Sequence, residues 1–183
     1  MAMIEMTVEG IGIDPSNNPL VLLRDEERKV FVPIWIGPAE AVSIQMELDA
    51  KTPQRPMTHD LMANILRELG AKLVRVTVND FADSVYYASL HLEMGRGSKE
   101  IQEIDARPSD AIALALRTNA QILVADDVAA KTGIAVTENN GDLSADDFSL
   151  DPENPETVAA SPPTEELERL SRLLEGLNLD EKR

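Results

Sequence analysis

The stretch Glu103–Arg117 (EIDARPSDAIALALR) constrains the fold of this chain more than any other. Its first residues read as the end of a strand. Pro108 fits the first position of a helix, where its fixed φ is already helical and its missing N–H would be unpaired anyway. A residue before proline is pushed out of the α region, so Arg107 falls at the N-cap. Asp110 then sits in the first turn, where the helix dipole favours an anion. The helix behind it is Ala-rich and apolar on every side, which predicts an element buried against others. A buried helix that opens in Asp105, Arg107, Ser109 and Asp110 must be covered by other elements while its polar mouth finds partners or a task.

The flanking sequence supplies those elements. Residues 3–13 alternate as one strand, and 14–19 are turn chemistry. Residues 20–24 and 29–36 form a hairpin across Asp25–Arg28. Gly37-Pro38 opens a helix running to about Ala50, and Lys51–Pro56 is a linker. Thr58 caps a second helix that stops at Gly70, with Leu61, Met62, Ile65, Leu66 and Leu69 as its apolar stripe. Residues 71–80, 84–94 and 99–106 form a three-stranded antiparallel meander that feeds the central helix. A short strand at 121–125 and a short helix at 126–131 follow. The expected fold is α+β: a mixed, largely antiparallel sheet with helices packed on it.

Beyond Thr137 the chain is too polar to offset the cost of ordering. The domain reading is therefore a body over 1–135, an acidic flexible linker over 136–163, and an amphipathic helix and tail over 164–183. Leu167, Leu170, Leu174 and Leu177 stripe that last helix. At about three turns it is marginal alone, so it is expected to dock on the body, a sister chain or a protein partner.

Charge and composition limit the functions. The net charge is -16. Residues 1–135 hold 20 acids and 13 bases, and the remainder holds 13 and 4. A body at -7 is no general electrostatic partner for nucleic acid, so any such contact must be local. Arg55, Arg67, Arg75, Arg96 and Arg107 are the candidates for a patch. There is no cysteine, which removes thiolate metal sites and thiol nucleophiles. No apolar run reaches membrane length and no secretory signal is visible, so a cytoplasmic location is expected. Walker, dinucleotide and nucleophile-elbow motifs are absent.

Two constellations carry chemistry. Asp60, Asp105, Asp110 and Glu40 offer hard oxygen ligands for Mg²⁺ or Mn²⁺, and carboxylate-held cations serve phosphodiester hydrolysis. Arg107 offers a planar fork for phosphate, with Ser109 and Arg55 as further substrate contacts. His59-Asp60 offers a proton carrier beside a carboxylate. The same residues also read as structural ion pairs that neutralise helix starts. His91, inside a strand, reads as a packed or exposed strand residue rather than a ligand. Asp126-Asp127 reads as a helix start.

The strings FVPIWIGPAEA (31–41), RPMTHDL (55–61) and IDARPSDAIALA (104–115), in that order, resemble the bifunctional nuclease family. The resemblance implies an α+β domain that cuts DNA and RNA with a divalent cation as helper and that self-associates. Taken with the chemistry above, it makes His59, Asp60, Asp105, Arg107 and Asp110 the expected catalytic set. A second reading keeps the same residues as structural clamps in a non-catalytic, oligomeric interaction module.

Overall fold

The alternation over residues 3–13 does not produce one strand. In the structure, a computed structural model that describes residues 2–95 and 100–135, Met6 divides it between two sheets. β1 (Met3–Glu5) joins a five-stranded sheet, and β2 (Thr7–Ile13) opens a four-stranded one. The side chain of Met6 is buried, and its N–H donates to the Ile122 carbonyl at 2.9 Å. An alternating pattern reports which face of a strand is buried, not which sheet the strand belongs to. The break at Met6 therefore leaves no mark in the sequence.

The hairpin is β3 (Pro19–Asp25) and β4 (Val30–Trp35), closed by the buried Asp25, whose carboxylate accepts from the N–H groups of Glu27 and Arg28. The helices α1 (Pro38–Leu48) and α2 (Thr58–Glu68) follow. The meander is β5 (Lys72–Ala82), β6 (Val85–Glu93) and β7 (Ile101–Ala106). The central helix α3 (Pro108–Thr118) leads to β8 (Gln121–Ala125), α4 (Asp126–Thr132) and a two-residue β9 (Ile134–Ala135). The sheet orders are β1-β8-β5-β6-β7 and β2-β3-β4-β9. Among the described residues only the β5–β8 pairing is parallel, so the fold is α+β, as the sequence implied. The expected linker and final helix lie outside the described residues.

α3 begins where Pro108 places it, with Arg107 extended at the N-cap (φ -69°, ψ 144°). Pro108 to Ala115 is buried apart from Asp110. The helix packs on α1, α2, β5 and β6. It ends at Asn119, which takes the left-handed conformation (φ 55°) that asparagine tolerates better than most residues. Ile112 and Leu114 meet Val76, Val78 and Leu90 of the larger sheet and Val21, Leu23, Val32 and Ile34 of the smaller one in a single aliphatic core. Tyr86 ties the sheets together where its hydroxyl donates to the Pro33 carbonyl at 2.8 Å. Burial pushes this phenol up to about 12, with a hydrogen bond to Thr132 opposing the rise.

α2 corrects the expected cap. The helix starts at Thr58, but its N-cap is Met57, and the Asp60 carboxylate accepts from the Met57 N–H at 2.8 Å. Its stripe also divides: Met62 and Leu66 pack on the core, whereas Leu61, Ile65 and Leu69 are exposed.

Candidate active site

The three sequence strings lie far apart in the chain, and each contributes to one side-chain network at the starts of α1, α2 and α3. Arg107 lies at its centre. Its Nε donates to Asp110 Oδ2 at 2.8 Å, and its Nη2 donates to Glu40 Oε1 at 2.8 Å and to Asp110 Oδ1 at 3.2 Å. The guanidinium is 66% exposed, whereas Glu40 and Asp110 are 17% and 28% exposed. The network therefore shows solvent a cation backed by two half-sunken anions. Gly37 makes room for this arrangement, because a Cβ there would run into the Glu40 carboxylate.

Behind the guanidinium lies His59, which is buried. Its Nε2 is 3.1 Å from Asp110 Oδ1 and its Nδ1 is 2.9 Å from Ser43 Oγ. An ionised carboxylate only accepts, so Nε2 carries the proton; with the ring neutral, Nδ1 accepts from the Ser43 hydroxyl. Burial raises the pKa of Asp110, but hydrogen bonds from Arg107 and His59 outweigh it and hold the carboxyl below its ordinary range. Asp110 is thus an anion at neutral pH, suited to orienting a donor and weak as a proton acceptor. The Ser43–His59–Asp110 chain has the residue types of a nucleophilic triad, yet Ser43 is buried on α1 and closed to a substrate.

Two expected members stand elsewhere. Asp60 turns to Arg117, whose Nε donates to its Oδ1 at 2.5 Å. Burial opposes this too, but the bond from Arg117 prevails and lowers the Asp60 pKa. Asp105 pairs in register with Ser89, on the sheet face opposite the core-facing Ala88 and Leu90, and so points away from the α3 side. Ser109 is buried in the first turn of α3. Arg55 is exposed in the α1–α2 connection and makes no ion pair among the described residues.

The expected arginine patch does not assemble as one. Arg67 bonds to Asn64 on α2, and Arg75 lies on the sheet face that carries His91. Arg96 is outside the described residues. Among the described residues no three His, Asp or Glu side chains converge as ligands for a metal. Glu40 and Asp110 both engage Arg107. The donor set therefore does not fit a cation held by the protein alone.

Sequence reasoning missed Ser43 and Arg117. Arg117 is only 6% exposed. It also donates to the carbonyls of Ala113 and Ser43, which ties α3 to α1 and α2. A lone arginine at the end of an otherwise apolar helix was the available signal.

A family model described as the bifunctional nuclease domain matches residues 21–137. The chain belongs to the bifunctional nuclease domain family. The matched region contains all of the network. An uncharacterized protein of Mycobacterium tuberculosis is 37% identical over 139 residues, covering 75% of this chain and 81% of the relative. Bifunctional nuclease 1 of Arabidopsis thaliana is 25% identical over 127 residues, 69% of this chain but 39% of that protein. Bifunctional nuclease 1 of Oryza sativa subsp. japonica is 23% identical over 135 residues, 72% and 41% of the two chains. Family membership supports a nuclease role at the level of the family. No helix among the described residues is long and apolar enough to cross a membrane.

Proposed function

We propose that this bifunctional nuclease domain hydrolyses phosphodiester bonds of DNA or RNA at the junction of α1, α2 and α3. The observation that carries this reading is the convergence of Glu40, His59, Arg107 and Asp110, drawn from all three family strings, around one exposed guanidinium. Arg107 grips the scissile phosphate through its planar fork. Asp110 and Glu40 hold that fork in position, and Asp110 orients the attacking water. His59 fixes Asp110 from behind. The family resemblance implies Mg²⁺ or Mn²⁺ as a helper, and the cleavage test varies both.

The test is cleavage of single-stranded and duplex DNA and RNA by highly purified protein, in Mg²⁺, in Mn²⁺ and in chelator. Arg107→Ala is expected to lower cleavage about 100-fold or more, the usual effect of removing a donor to a developing charge, with its melting temperature close to the parent's. Equal cleavage by parent and variant overturns the reading.

A second reading has its own observation. Leu61, Ile65 and Leu69 on α2 are 53%, 47% and 71% exposed at four-residue steps, with Met57 in line, a contiguous apolar strip of the kind that marks association. In this reading the domain is a self-associating module and the Arg107 network a structural clamp. The acidic C-terminal segment then recruits a protein partner. A cytoplasmic location fits either reading.

A further inference from the structure

The larger sheet has a second face. The helices pack where Leu73, Val76, Val78, Ala88 and Leu90 point; among the described residues no helix lies on the other side. There the register aligns four polar residues in one row across four strands: Gln121 on β8, Arg75 on β5, His91 on β6 and Glu103 on β7. The row lines an open cavity of about 350 Å³, with Thr77 and Asn79 beside it and Met3 and Leu123 as an apolar flank. That volume is in the lower part of the range for small-molecule sites, roughly 300–1,000 Å³.

Folding accounts for only half of this row: Gln121 donates to the Glu5 carboxylate at 3.4 Å, and His91 has a partner in Thr77. Beyond the strand ladder, the side chains of Arg75 and Glu103 make no hydrogen bond or ion pair with each other or with any other described residue. His91 is buried and held by Thr77 Oγ1 at 3.0 Å. Asn79 donates to Ser89 Oγ at 3.0 Å, but its Oδ1 is closed off from solvent without a partner. Buried polar atoms are nearly always paired, so an orphan beside an unpaired Arg–Glu couple marks a surface arranged for something else.

The chemistry of the row selects a ligand. Arg75 offers paired donors, and two strand spacings away, about 9–10 Å between backbones, Glu103 offers paired acceptors. A flat ring between them must present paired acceptors to Arg75 and paired donors to Glu103. Guanine does so: O6 and N7 accept, while N1–H and the N2 amino group donate. Adenine places its amino donor next to N7, against Arg75. Cytosine offers two acceptors, O2 and N3, but only its N4 amino group as donor, and uracil has a single N–H donor. The surroundings are acidic, with Glu5, Glu93 and Asp105 on the same face, which disfavours phosphate and leaves a neutral base as the better fit.

We propose that the helix-free face of the five-stranded sheet binds a guanine base, with Arg75 on its O6/N7 edge and Glu103 on its N1/N2 edge. β7 runs from Glu103 into Arg107, but Glu103 lies on the helix-free face and the Arg107 network on the helix side, so the pocket is a site separate from the proposed phosphate grip. The proposal rests on the nuclease reading only for what the base is attached to.

Isothermal titration of the full chain with guanosine, adenosine, cytidine and uridine tests it. Guanosine is expected to bind at one saturable site, at least tenfold tighter than the other three. Arg75→Ala and Glu103→Gln are each expected to weaken it at least tenfold with unchanged far-ultraviolet circular dichroism. Amide shifts on adding guanosine should centre on Arg75, His91, Glu103 and Gln121. No saturation up to the solubility of guanosine, equal binding of all four nucleosides, or unchanged binding in Glu103→Gln overturns the proposal. Nucleosides carry no phosphodiester, so these results stand or fall separately from cleavage.

Discussion

Arg117 and Gly37 show two ways in which one residue holds the junction. Arg117 bonds to Asp60 and to two backbone carbonyls from a nearly sealed position. Arg117→Met strands the Asp60 carboxylate and both carbonyls, so a loss of about 3–5 kcal/mol is expected, as when one partner of a buried pair is removed. Urea unfolding measures it; a loss below about 1 kcal/mol would mean that water replaces the guanidinium. Gly37 acts by absence. Its φ of -72° suits any residue, so Gly37→Ala should leave the melting temperature nearly unchanged while displacing Glu40 from Arg107. Its effect on cleavage should therefore not add to that of Glu40→Gln in a double-mutant cycle, because both changes remove one contact.

At the scale of elements, α2 presents two faces with different tasks. Ile65 is exposed and Leu66 packs on the core. Leu66→Ala is expected to cost about 2 kcal/mol, whereas Ile65→Glu should stay within about 0.5 kcal/mol of the parent. If the strip joins two copies, Ile65→Glu also shifts sedimentation equilibrium toward monomer; an unchanged mass removes the self-association reading. The sequence showed α2 as amphipathic because its apolar positions recur with the helical period, but the period cannot tell a strip that meets the core from one beside it. The hairpin, the meander and the buried α3 were legible for similar reasons: turn residues and the Arg-Pro step act locally. The division at Met6, the parallel β5–β8 pairing and β9 were not, because distant partners decide them. In the site, Arg107, Asp110, His59 and Glu40 were each legible as candidates, but in separate constellations; the network that joins them was not. Nor was the separation of Asp60 and Asp105 from it: Asp60 is claimed by Arg117, far along the chain, and the face of a strand residue such as Asp105 depends on the register it adopts.

For the whole molecule, acid should unfasten the junction first. Asp110 and Asp60 both have carboxyl pKa values held below the ordinary 3.8. Their contribution to stability is complete above the unfolded-state value near 4 and disappears as pH falls through the lower folded-state values. The unfolding free energy is therefore expected to be level in these groups from neutral pH to about 5 and to drop below about 4. Asp110→Asn should flatten part of that drop in a pH series of urea midpoints. A slope identical to the parent's would show that Asp110 has the same affinity for protons folded and unfolded.

β1 and β9 place both ends of the described body against distant strands: residues 3–5 pair with 123–125, and 134–135 with 30–31. During translation the amino-terminal strand has no mate until the ribosome has released nearly the entire body. A nascent chain that has not yet exposed residue 121 carries an unmated edge at β5, so this sheet is completed late in synthesis rather than progressively.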